Sequence, residues 1–257
     1  MIALLTIPAL VYLGLAIAVY FYADKLIFQP QKSFYRDDQS IIKLPTASGE
    51  KISARFFKNP NAEYTILFSH GNAEDIATAT PFLRELSNAG FSVFAFDYRG
   101  YGTSEGVPGE RNSYEDIDAA YDYLTNELKI PPAKIIVQGR SLGGAVAVDL
   151  ASRKSCGGLI VESSFTSAFR VVTHYRIFPF DEFSSLDKIE KVKCPTLFIH
   201  GKRDTIVPFR HGETLFAAAA EPKFFLSIDN AGHNDVFSVA KNEYLQAIRA
   251  FSVRISE

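Results

Sequence analysis

Six short, nearly uninterrupted apolar stretches limit what this chain can fold into: YTILFS, FSVFAF, KIIVQG, GLIVES, PTLFIHG and KFFLSI, all rich in β-branched and aromatic residues. A strand solvated on one face alternates apolar and polar residues, whereas a strand covered on both faces reads as a continuous apolar run. The intervals between them are long enough for helices, so the pattern predicts an α/β domain with a mostly parallel central sheet covered by helices. Weaker strand signals at residues 41–44 and 51–57 flank the turn pair Ser48-Gly49. Asn112 with Glu115 three residues on reads as a capped helix start, with Ile117, Ala120, Tyr121, Leu124 and Leu128 on its buried face and Pro131-Pro132 as its end. Tyr244, Ile248, Phe251 and Ile255 mark a final helix. A chain of 257 residues that is 47% hydrophobic can bury such a core in one domain.

The N-terminus is different in kind. Residues 2–22 contain no charge, and 21 helical residues at about 1.5 Å each approach the thickness of bilayer hydrocarbon. A single membrane-spanning helix is expected, with Tyr20 and Tyr22 at the interface and Asp24 and Lys25 beyond it. A cleaved signal peptide has a basic leading region and a shorter apolar stretch, neither of which is present; a buried core helix is the other alternative. Lys25, Lys32 and Arg36 follow the span, which places the large domain on the cytoplasmic side by the positive-inside tendency. The expected organisation is an anchor at 1–25, a connector at 26–40 and an α/β domain at 41–257. Residues 165–192, with Phe165, Phe169, Tyr175, Phe178, Phe180 and Phe183, form either a lid over a pocket or an ordinary buried crossover.

With 27 basic and 29 acidic side chains, 27 − 29 = −2, the chain has no cationic field to collect nucleic acid. Cys156 and Cys194 stand in neither CxxC nor metal-ligand spacing and read as ordinary thiols. HExxH, EF-hand and clustered His/Cys patterns are absent, as are a helix-opening GxGxxG and a P-loop lysine, so no metal or cofactor is expected. There is no signal for an oligomeric state.

The chemistry points to KIIVQGRSLGG. A strand ends near Gln138 and a helix begins near Ala145, leaving Ser141 on a sharp turn between Gly139 and Gly143. The Leu142 N–H, in the first helical turn, has no intrahelical acceptor and can face an oxyanion. A serine hydroxyl needs a base. DNAGHND supplies His233 after one strand, and GKRD supplies Asp204 after another, to hold the imidazole tautomer. Asp229 is the rival acid, though its place in a turn suits a local role. Asp235 reads as local, His200 and His70 as hydrogen-bonded structural histidines, and His174 and His211 as pocket-border candidates. In LFSHGNAED the second oxyanion donor is the N–H of Asn72, preferred over Ala73; alternatively Asn72 and Asp75 cap the next helix. In FDYRGYGTSEG, Asp97 and Arg99 are expected to brace the rim, with Tyr98 and Tyr101 as substrate contacts alongside Phe165. Glu162 is the candidate to bind a substrate amine.

Together FSHGNAED, DYRGYGTSEG, GRSLGG, HGKRD and AGHND resemble the α/β-hydrolase superfamily. More narrowly, the set is similar to the membrane-associated alpha/beta hydrolase domain-containing protein 17 group and to bacterial serine aminopeptidase-like hydrolases, over nearly all the chain beyond the anchor. The resemblance implies the α/β-hydrolase fold, with Ser141 as nucleophile, His233 as base, Asp204 as its acidic partner, and an oxyanion hole at Leu142 and Asn72. It implies protein depalmitoylation in the eukaryotic group, whose members carry a cysteine-rich, palmitoylated N-terminal segment. This chain has no cysteine before Cys156, so it departs from that targeting pattern. The expectation is a serine hydrolase acting on an ester or thioester of an acyl-bearing lipid, protein or small molecule. A serine peptidase or aminopeptidase, and a non-catalytic membrane-anchored interaction module, are the alternatives.

Overall fold

The chain runs α1 (Ile2–Ile27), β1 (Ile41–Pro45), β2 (Lys51–Phe57), β3 (Thr65–Ser69), α2 (Ile76–Asn88), β4 (Ser92–Phe96), α3 (Glu110–Asp122), β5 (Ile135–Arg140), α4 (Leu142–Arg153), β6 (Gly158–Glu162), α5 (Ala168–Thr173), α6 (Leu186–Ile189), β7 (Thr196–Gly201), α7 (Arg210–Ala218), β8 (Lys223–Ile228), α8 (Val236–Val239) and α9 (Lys241–Arg254). This computed structural model describes residues 2–173 and 175–256, with α1 side chains from Ile7 onward.

The strands form one eight-stranded sheet in the order β1-β2-β4-β3-β5-β6-β7-β8. Only β1–β2 and β2–β4 pair antiparallel, and every pairing from β4 to β8 is parallel. The continuous apolar runs have their physical cause here: β3, β4, β5, β6 and β7 are covered on both faces. Ile117, Val146 and Leu215 of α3, α4 and α7 pack on one side; Leu83 and Ile248 of α2 and α9 pack on the other. In such a sheet the carboxyl ends of the strands gather along one edge, where loops far apart in sequence meet.

Three details depart from the sequence reading. Helix α3 starts at Glu110 with extended Gly109 as its cap, so Asn112 lies inside the first turn and its amide donates back to Val107 O at 2.9 Å. Helix α1 continues past Asp24 and Lys25 to Ile27, and Phe28 is buried between Tyr101 and Phe183, so the start of the expected connector is core. Its stretch Ile7–Ile27 is long and apolar enough to cross a membrane. Residues 165–192 combine buried ends, at Phe165, Phe183, Ile189 and Val192, with an exposed middle at Val172, Tyr175 and Ile177. The Cys156 and Cys194 thiols face each other unbonded at 3.3 Å.

Candidate active site

Strand β5 delivers Ser141 to the carboxyl edge, and the turn into α4 holds it at φ 54, ψ −118, a conformation that residues other than glycine rarely adopt. The backbone around it is over-determined. Ser141 N–H donates to Glu162 O at 2.9 Å, and its carbonyl accepts from Ser164 Oγ at 2.8 Å and Gly144 N–H at 3.0 Å. A Cβ on Gly139 would overlap the Gly143 carbonyl, and one on Gly143 would overlap the Ser69 carbonyl. The glycines therefore allow β3, β5 and α4 to close tightly enough to push the serine outward.

Ser141 Oγ lies 2.9 Å from His233 Nε2, and His233 Nδ1 lies 2.7 Å from Asp204 Oδ2. The other Asp204 oxygen accepts the N–H groups of Ile206 at 2.9 Å and Val207 at 2.7 Å. Burial opposes ionisation of Asp204, but hydrogen bonds from His200 and His233 and the Val207 N–H outweigh it and hold the carboxyl well below the ordinary carboxylate range. His200 stands behind the acid, with Nε2 2.9 Å from Val207 O and 3.3 Å from Asp204 Oδ2. A fixed carboxylate of this kind orients Nδ1–H toward itself and leaves Nε2 free to accept the serine proton.

Ser141, His233, Leu142, Asn72 and Phe165 line a cavity of about 650 Å³. The Ala73 N–H donates to Asn72 Oδ1 at 3.1 Å. The Asn72 side chain does not cap α2; that is done by Asp75 in a capping box with Thr78. Instead Asn72 Nδ2 donates to Ile27 O at 2.6 Å, and Oδ1 accepts Gln29 N–H at 3.0 Å and Tyr101 Oη–H at 2.5 Å. The last turn of α1, through Leu26 and Ile27, and Gln29 just after it thus supply part of the wall.

Two charged residues that the sequence reading passed over also line the cavity. Arg140, next to the serine, pairs with Glu74 Oε1, and Glu74 Oε2 accepts Gly71 N–H at 2.8 Å. One ion pair therefore ties the serine turn to the Gly71-Asn72 loop. Although burial opposes it, the Arg140 charge holds the Glu74 carboxyl below its ordinary range. The available signal was opposite charges within the two motifs, GRSLGG and HGNAED. The contribution of α1 had a weaker signal in Ala16 and Ala23, small residues seven apart that are buried against the domain.

Several sequence-predicted contacts lie elsewhere. Tyr98 is fully buried with its hydroxyl on His70 O at 2.9 Å, and Tyr101 is buried with its hydroxyl on Asn72; neither lines the cavity, because both are packed beneath the loop. Glu162 is buried behind the sheet edge, where Tyr244 Oη donates to it at 2.6 Å and burial raises its pKa. It is not a cavity residue. Asp97 and Arg99 do not brace each other: Asp97 holds Tyr35 and Ile76 N–H, while Arg99 pairs with Asp116 at 2.7 Å and Glu115 at 3.0 Å. Asp229 pairs with Lys202 at the surface, and Asp235 accepts Gly232 N–H at 2.6 Å. His70 is buried against Gly71 O and Asp97, and His211 is buried against Thr166. His174 lies outside the described residues.

Comparison with known proteins agrees with this architecture. Residues 60–175 match the family described as serine aminopeptidase, S33. Alpha/beta hydrolase domain-containing protein 17B of Xenopus tropicalis and that of Homo sapiens are each 40% identical over 210 residues, 80% of this chain and 72% of theirs. An esterase of Pyrococcus furiosus shares the fold at a TM-score of 0.75 and 19% identity, over 90% of this chain and 98% of its own. The parallel sheet, the serine turn at its edge and the identity across four-fifths of the sequence lead to one assignment: the chain belongs to the α/β-hydrolase superfamily, in the family of the alpha/beta hydrolase domain-containing protein 17 relatives.

Proposed function

We propose that this chain is a serine hydrolase that cleaves a carboxylic ester or thioester through an acyl-enzyme on Ser141. The observation that carries the reading is the continuous relay from Asp204 to His233 to the hydroxyl of a strained Ser141, with links of 2.7 and 2.9 Å, at the wall of a cavity. Ser141 Oγ attacks the carbonyl carbon while His233 Nε2 takes its proton, and the N–H groups of Leu142 and Asn72 receive the developing oxyanion. His233 then returns the proton to the departing alcohol or thiol. Water, deprotonated by His233, attacks the acyl-serine and releases the acid.

The membrane and the lid belong to the same proposal. Helix α1 seats the enzyme in a bilayer, residues 165–192 cover the cavity as a cap, and Lys25, Lys32 and Arg36 place the domain on the cytoplasmic side. A membrane-proximal acyl substrate follows from that placement. The aminopeptidase reading relied on Glu162 to bind a free amine, and the Tyr244 hydrogen bond to that buried carboxylate argues against it. Fluorophosphonate labelling of the protein and of Ser141→Ala, followed by a panel of short to long esters, thioesters and peptides, tests the reading. Labelling is expected only with Ser141 present. Equal labelling of both proteins would overturn the assignment, and no turnover of any panel member would favour an interaction module.

A further inference from the structure

Helix α1 does not stand clear of the domain as a tether. The exposed middle of the cap runs alongside it: Tyr12 Oη donates to Ile177 O at 2.8 Å, Tyr12 stacks on Phe178 with centroids 6.1 Å apart, and Tyr20 meets Phe180 edge-on at 5.3 Å. Tyr12 and Tyr20 precede Ile27 by 15 and 7 residues, which at about 1.5 Å per residue places their contacts roughly 22 Å and roughly 10 Å along the helix from the cavity wall. If α1 lies in hydrocarbon, the cap residues clasping it lie there too.

Their surface suits that position. Val172 is 81% exposed, Tyr175 80% and Ile177 50%, beside the apolar lipid-type face of α1 at Leu10, Leu13 and Ile17. The two ends of the segment are tied together, since Ala168 N–H donates to Glu182 O, and the Thr173 hydroxyl bridges the end of α5, donating to Phe169 O at 3.0 Å and to Tyr175 O at 2.7 Å. Arg170, Arg176, Asp181 and Glu182 are the charges this placement must accommodate: Arg170 Nε lies 3.5 Å from Asp181 Oδ2, and the Arg176 guanidinium is folded back onto the carbonyls of Phe178 and Pro179. The cavity reaches this face. Its walls near the surface are Leu26 of α1, Val171 and Val172 of α5 and Ile206, while Ser141 lies within.

We propose that the cavity opens sideways at the bilayer surface, between the last turn of α1 and α5, and that the acyl chain of a membrane-resident ester or thioester passes from the hydrocarbon along the cap and through that opening into Ser141's site without crossing bulk water. The proposal rests on the serine-hydrolase reading and on α1 being seated in the membrane. It names the bilayer as the occupant of the cap surface and the lipid-embedded acyl chain as the occupant of the cavity mouth. A second copy of the chain on that face is the alternative outcome.

Two measurements on the full chain in phosphatidylcholine vesicles test it. With Val172→Cys carrying an environment-sensitive fluorophore, in a background where Cys156 and Cys194 are serine, nitroxides on lipid acyl chains quench the probe and aqueous iodide does not. Quenching by iodide, or shielding from both quenchers with a mass doubled by crosslinking, overturns the proposal. Tyr175→Asp places a charge on the embedded surface away from the cavity lining, and it lowers turnover of a long-chain ester embedded in the vesicles by about tenfold or more. Turnover of a water-soluble short ester and fluorophosphonate labelling of Ser141 are unchanged. Equal rates for wild type and Tyr175→Asp on the embedded ester sink lateral entry. Absence of short-ester turnover and labelling in the wild type sinks the hydrolase reading and acyl entry with it, whereas the quenching still reports where the cap lies.

Discussion

The Asn72 side-chain amide donates to the Ile27 carbonyl at 2.6 Å and, through Oδ1, receives the Gln29 N–H at 3.0 Å, so the loop proposed to hold the oxyanion is fastened to the end of the apolar helix. Its position depends on a helix whose sequence looks as if it served only to anchor. Tyr101 completes the fastening, since its hydroxyl donates to Asn72 Oδ1 and accepts Gln29 N–H at 3.1 Å.

Tyr101→Phe removes that hydroxyl and little volume. The loop keeps its N–H groups but loses part of what aims them, and donors matter where transition-state charge develops. We expect kcat on a short ester to fall about tenfold, with KM within about twofold. A lower melting temperature with unchanged kcat would reduce Tyr101 to a packing role.

Ser141→Ala, His233→Ala and Asp204→Asn test the relay as a unit. Groups acting in one proton path are strongly non-additive, so removing Ser141 or His233 alone costs on the order of 10⁴- to 10⁶-fold in kcat, and removing both costs no more. Asp204→Asn loses about 10⁴-fold, because an amide no longer fixes the same imidazole tautomer. Steady-state kinetics on one ester decide this, and multiplicative losses in the Ser141→Ala/His233→Ala pair would show that the two side chains act separately.

The sheet and the meeting of Ser141, His233 and Asp204 were legible because each leaves a local trace. Double burial produces continuous apolar strands, and a sharp strand-to-helix turn needs glycines where backbones touch, as at Gly139 and Gly143. Even the weak signals for β1 and β2 correspond to real strands. What stayed hidden was who faces whom. Tyr98, Tyr101 and Glu162 sit in the correct loops and strand ends, yet side-chain direction at those positions is set by tertiary packing, which turned all three inward. Asp97 and Arg99 stand two residues apart, which in a continuous strand would put them on one face, but β4 ends at Phe96 and the chain turns at Arg99-Gly100, so they find different partners. The end of α1 was missed for a related reason: a long apolar run signals a lipid-facing helix, and no local pattern announces that its final turn docks on a distant loop.

Arg140 and Glu74 bridge the serine turn and the Asn72 loop while largely shielded, with side chains 15% and 29% exposed. Arg140→Met leaves the carboxylate without its partner, and loss of one member of a buried pair costs about 3–5 kcal/mol, reduced here by residual solvent to about 2. Adding Glu74→Gln removes the stranded charge and restores about half of that stability. Urea unfolding of the four proteins of the cycle measures the coupling, and a coupling near zero would show that the pair contributes nothing to holding the two loops together.

The junction of cap, α1 and α3 carries a proton that makes stability depend on pH. Half-buried Glu182 is pushed up to about 9 by desolvation first, then by its hydrogen bond to Glu110 and repulsion from Glu110, Asp24 and Asp181. Its ordinary value is 4.5, so between these limits the folded chain binds a proton that the unfolded chain has lost. The proton's stabilising contribution is complete below about pH 4.5 and disappears as pH rises towards about 9. Glu182→Gln keeps a neutral, hydrogen-bonding side chain at every pH, so its melting temperature should exceed that of wild type increasingly as pH climbs through this window. The two should converge near its lower limit. Asp24 also accepts the Glu110 N–H at 3.1 Å, which places the repulsion where α1 meets α3. Cap and helix should therefore loosen before the sheet, and amide exchange in residues 168–173 should quicken with pH beyond the intrinsic chemical rate in wild type but not in Glu182→Gln. Parallel melting curves for the two proteins across the whole range would show that Glu182 is ionised in the native fold.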